Sequence, residues 1–84
     1  MENLHWMELE ALIDEIAVAQ RAKVFTCGRS VVPSLTLDDL YQPNDFFELE
    51  THPYFRYEEG VLAGILTIRM ALSALRKEKA VMEG

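Results

Sequence analysis

The sequence predicts an all-α chain: an antiparallel two-helix hairpin with a partly helical connector, paired with a second copy as a dimeric four-helix bundle. Three observations carry this reading. All three prolines (Pro33, Pro43 and Pro53) fall in the middle third, and each bars or ends a helix nearby. Apolar residues on either side of that stretch recur at spacings of three and four, the mark of a helical face. No segment of useful length alternates with period two, as a half-buried strand would.

The first helix is expected over about residues 4–31. Leu9, Leu12, Ile13, Ile16, Ala19, Val24, Cys27 and Val31 share one face. Asn3 is the expected N-cap, and Glu8 and Glu10 suit the positive end of the helix dipole. The stretch "VVP" ends the helix, with Gly28 as a weak point.

The connector, about residues 34–52, is too long and too apolar to be a bare loop. "TLDDLYQP" reads as a short helix whose Thr36 and Asp39 imitate a capping box. "NDFFELETHP" reads as a second, capped by Asn44 or Asp45 and stopped before Pro53. Leu37, Leu40, Phe46, Phe47 and Leu49 are expected to fold down as a lid.

The last helix is expected over about residues 54–79, with Pro53 suited to a first helical position. Charge then sets the direction of the two long helices. Residues 1–20 hold five acids and no Lys or Arg, whereas residues 21–32 hold three bases and no acid. In the last helix Glu58 and Glu59 lead, and Arg76, Lys77 and Lys79 trail. Laid antiparallel, the acidic head of each helix meets the basic tail of the other.

"EEGVLAGILTIRMALSAL", residues 58–75, answers a separate question. The run from Val61 to Leu75 is fifteen residues with Arg69 inside it, short of the roughly 20 apolar residues a spanning helix needs. Val61, Ile65, Ile68, Leu72 and Leu75 form a seam of large residues. Beside it, Gly60, Gly64, Thr67, Ala71 and Ala74 repeat the spacing with small ones, which lets two backbones approach closely. Ala19, Ala22, Thr26 and Ser30 are their expected counterparts on the first helix. One partner helix and a short lid cover so broad an apolar surface only in part, so the expectation is a homodimer of hairpins.

Eighty-four residues make one domain, spanning 1–84, and a core of that size supplies only about 3–5 kcal/mol. Cys27 is the sole cysteine, so no disulfide forms within the chain. With no basic and apolar leader visible in "MENLHW", that points to a reducing cytoplasm. The net charge of −6, from 14 acids against 8 bases, gives no general attraction to nucleic acid or to an anionic membrane surface.

The most unusual segment is "DDLYQPNDFFELETHPYFRYEE", residues 38–59, which holds six of the eight aromatics. Tyr41, Phe46, Phe47, Tyr54, Phe55 and Tyr57 read either as docking anchors for a protein partner or as a plug for the open end of the hairpin. Asp45, Glu48 and His52 fall one helical turn apart, and Glu58 and Glu59 lie near in sequence, so these five are the candidate metal ligands. No phosphate loop, nucleophile elbow or zinc spacing is present, and no cofactor is implied. The expected function is a small non-catalytic interaction or regulatory protein. The competing class is a divalent-metal-dependent enzyme or ligand binder using the five residues just named.

Overall fold

A computed structural model describes residues 5–83. α1 spans Trp6–Val31, α2 spans Phe47–Glu50 and α3 spans Pro53–Glu83. Between α1 and α2 lie two 3-10 turns, Asp38–Tyr41 and Pro43–Asp45. There is no strand among the described residues.

α1 and α3 pack against each other along their length. Their direction is antiparallel, as the charges require. Gln20 Nε2 donates to the main-chain oxygen of Glu58 at 2.9 Å and to its Oε2 at 3.0 Å. Further along, Arg69 Nη1 donates to Asp14 Oδ1 at 3.2 Å. At the far end Arg76 Nε stands 3.0 Å from Glu10 Oε1, an ion pair lying off the N–H line. An accessible ion pair such as Asp14–Arg69 contributes about 0–1 kcal/mol, so the charges select direction more than they hold the helices together.

The described part of α1 begins after His5, whose carbonyl accepts from the N–H groups of Glu8 and Leu9. The expected cap, Asn3, lies outside the described residues. Thr36 and Asp39 form the reciprocal pair foreseen for them. The Thr36 N–H donates to Asp39 Oδ2 at 2.8 Å, and the Asp39 N–H donates to Thr36 Oγ1 at 3.3 Å.

Asn44 and Asp45 do not cap α2; they sit inside the second 3-10 turn. The N-cap position belongs to Phe46, whose extended backbone (φ −117°, ψ 103°) separates turn from helix. α3 starts at Pro53 and is prepared by His52, whose Nδ1 accepts from the Phe55 N–H at 3.4 Å.

Burial departs from the expected faces in two ways. On α1 the buried residues are Ala17, Gln20, Val24 and Gly28. Leu12, Ile16 and Ala19 are exposed. The inward stripe runs through a glutamine and a glycine, which an apolar count passes over. Secondly, the small-residue rows do not meet within the chain. Gly60, Gly64, Thr67, Ala71 and Ala74 are exposed, as are Ala19, Ala22, Thr26 and Ser30. A Cβ placed on Gly60 or Gly64 would find no described atom within 4 Å.

The close approach occurs instead at Gly28. A Cβ there would stand 2.5 Å from Leu35 Cδ2 and 3.3 Å from Phe55 Cε2. Both neighbours are buried and cannot swing into solvent. Gly28→Ala should therefore lose about 1–3 kcal/mol to overpacking against about 1 kcal/mol gained in helix propensity. A thermal melt should show the midpoint lowered by several degrees.

The core lies at one end. Val24, Leu35, Leu49 and Phe55 are buried together, with Phe25, Val31, Leu40, Phe46 and Leu62 packed around them. The lid forms in part: Leu49 is fully buried and Leu40 and Phe46 half-buried, whereas Leu37 and Phe47 face solvent. Beyond Ala17 on α1 and Leu62 on α3, the two helices continue to the open end with no third element on them among the described residues. The radius of gyration is 16.3 Å and the molecule measures 49 × 20 × 20 Å. A compact chain of this length would have a radius of gyration of about 12 Å, so the open half is an extended helix pair.

Candidate functional site

The aromatic segment divides between core and surface. Phe55 is 1 % exposed and belongs to the core, and Phe46 packs beside it. Tyr41, Phe47, Tyr54 and Tyr57 are exposed. Alternation along a short irregular connector decides this: Phe46 turns inward on its extended backbone, and Phe47, one residue on, points away. Phe46→Ala should lower the melting midpoint by several degrees. Phe47→Ala should leave it within the roughly 0.5 kcal/mol typical of surface changes. Equal loss from both would show that Phe47 also plugs the hairpin.

The five candidate metal ligands are not drawn into one cluster. Asp45 and Glu48 are exposed on the connector. His52 Nδ1 is engaged by the Phe55 N–H, and its ring lies 6.2 Å from that of Tyr54. Glu58 receives Gln20, and Glu59 receives Arg56 Nη1 at 2.9 Å. Among the described residues no group of three His, Cys, Asp or Glu side chains stands close enough to hold a metal ion. Millimolar magnesium, manganese or zinc should accordingly leave the melting curve where it is, since binding to the folded state alone would raise it.

Cys27 sits half-buried at the edge of the core, beside a shallow groove lined by Lys23, Thr26, His52, Tyr54 and Glu58. Burial, and then the Glu58 carboxylate, push its thiol above the ordinary value. A nucleophile needs the opposite. Cys27 should therefore alkylate more slowly than a free thiol near pH 8, and Glu58→Gln should speed it.

The remaining surface follows from helical geometry. The ion pairs and the 38–41 turn occupy one flank of the hairpin, where Arg21, Leu37, Leu40, Tyr41, Glu59 and Leu66 border a groove. At 100° per residue the opposite flank carries Leu12 and Ile16 from α1 and the seam Val61, Ile65, Ile68, Leu72 and Leu75 from α3. No described element packs over it, and Val61, Ile65 and Leu72 are half-buried at its inner edge. Leu12 is 52 % exposed, Ile16 46 %, Ile68 58 % and Leu75 40 %. Thr67, at its margin, spends its hydroxyl on the carbonyl of Ala63 at 2.9 Å, which leaves the surface there apolar. Periodicity located the seam on α3. Its continuation through Leu12 and Ile16 lay within the predicted face of α1, but as inward residues.

No helix among the described residues is long and apolar enough to cross a membrane. Comparison with known protein families, curated proteins and solved structures finds no match for the chain.

Proposed function

We propose that this protein is a small non-catalytic interaction protein that works as a self-associated helical bundle and offers exposed connector aromatics to a protein partner. The observation that carries the reading is the confinement of the core to the connector end. A two-helix pair without a third layer holds its open half weakly, because helix stability in water comes mainly from burying an apolar face. The flank through Ile16 and Ile68 supplies such a face and leaves it bare. Tyr41, Phe47, Tyr54 and Tyr57 add large rings at the other end, and aromatic side chains are the usual anchors of protein interfaces.

Light scattering coupled to size exclusion, over a dilution series, tests this. A mass near twice 9.6 kDa that persists on dilution is expected. A 9.6 kDa species at every concentration overturns self-association.

A further inference from the structure

We infer that the bare flank is covered by a second copy of this chain, about a two-fold axis that crosses the hairpin at the level of Ile16 and Ile68. Each long helix then lies antiparallel on its own counterpart, with the two connectors at opposite ends. The inference rests on the self-association proposed above and goes on to name its surface and symmetry.

The levels come from the hairpin itself. Asp14 pairs with Arg69 and Gly28 lies against Phe55, so the helices run level in opposite directions. That places Ile16 beside Thr67 and Ile68. On α1 the exposed row of the flank reads Glu8, Leu12, Ile16, Ala19, Lys23, at helical spacings of four and three. The row is complementary to its own reverse. Turned about Ile16, Glu8 meets the partner's Lys23 and Leu12 meets the partner's Ala19.

α3 behaves the same way about the same level. The seam falls on its own reverse, Val61 over the partner's Leu75, Ile65 over the partner's Leu72 and Ile68 over its counterpart, at spacings of four and three. Both helices thus ask for one axis, although their sequences are unrelated.

The competing two-fold, parallel to the helices, would bring the connectors together and lay α1 on the partner's α3. It would set Glu8 on Leu75 and Lys23 on Gly60, losing the charge pairing. Size is adequate, because a face 49 Å long and 20 Å wide accommodates the roughly 800 Å² per partner of a standard interface.

The test is cross-linking of the full chain with a short bis-maleimide, in a Cys27→Ser background so that only the introduced thiol reacts. Ile16→Cys and Ile68→Cys, each alone, should give a covalent dimer that is lost in denaturant. If neither links to itself but a mixture of the two links unlike chains, the parallel axis is right and this inference is overturned. A dimeric mass with no cross-link in any combination also overturns it while leaving self-association standing. A monomeric mass removes both readings. Charge exchange gives an independent check: Glu8→Lys and Lys23→Glu should each raise the dissociation constant, roughly fivefold for each of the two symmetric contacts. The double exchange should restore it, and additive weakening would count against the axis.

Discussion

Phe55→Ala is expected to abolish the cooperative thermal transition of the isolated chain. Phe55 and Leu49 are the two largest side chains fully withdrawn from solvent, and Phe55 also lies against the backbone of α1 at Gly28. Truncating a buried phenylalanine costs about 3–5 kcal/mol. A single core in a chain this short supplies about the same amount in total. Far-UV circular dichroism should show a shallow, non-cooperative loss of helix on warming instead of a sigmoidal melt. Tyr54→Ala and Tyr57→Ala, flanking changes on exposed rings, should keep the parent transition. A cooperative melt for Phe55→Ala within 1 kcal/mol of the parent would show that the hairpin is held by something other than its connector-end core.

Ile68→Asp is expected to dissociate the assembly while sparing the hairpin. In the single chain Ile68 is largely exposed, so the change there costs little beyond helix propensity, under about 1 kcal/mol. At the proposed two-fold axis it would set two carboxylates side by side and away from water. Burying an unpaired charge costs several kcal/mol, and each 1.4 kcal/mol is tenfold in affinity. The dissociation constant should therefore rise by more than about a hundredfold, with the scattering mass falling to 9.6 kDa. Met70→Asp supplies the control. Met70 is also largely exposed but lies on the other flank, beside Asp14 and Arg69, and its replacement should leave the mass unchanged. Loss of mass from both variants would mean that net charge, not this surface, governs association.

Gly64→Ala should gain about 1 kcal/mol of helix propensity, since its Cβ meets nothing within 4 Å. The small row lies about 100° round the helix from the seam, away from the proposed interface, so the gain should be the same in melts above and below the dissociation constant.

What could be read before the structure, and what could not, separates along physical lines. The prolines fall just after α1, at the start of the second 3-10 turn and at the first residue of α3, because a missing N–H and a fixed φ act locally whatever the surroundings. Helix direction followed from the segregation of the acids of residues 1–20 from Arg21, Lys23 and Arg29, and of Glu58 and Glu59 from Arg76, Lys77 and Lys79, since those charges act through the sign of each helix end. The Thr36–Asp39 pair was legible for the same reason: both partners are three residues apart. The inward face of α1 was not. Gln20 is buried because it bridges to Glu58, thirty-eight residues away, and Gly28 because Leu35 and Phe55 press on it. Nothing in the neighbouring residues of either announces that partner.

The candidate site shows the same division. The large seam and the small row of α3 were visible as spacings, but spacing states only that residues share a face. Which face turns inward depends on how the two cylinders rotate against each other. That rotation was decided by the connector, whose Leu35 and Leu49 wedge one end against Phe55 of α3 and fix the helices with the seam at the edge. Likewise the six aromatics were conspicuous as a cluster, yet only the extended backbone at Phe46 assigned Phe46 to the core and Phe47 to solvent. By itself, then, the sequence determined the two long helices, their order and their antiparallel sense, because these follow from short-range sterics and charge. The tertiary structure decided the burial of Gln20 and Gly28 and the exposure of Leu12, Ile16 and Ile68, because burial is settled by partners distant along the chain.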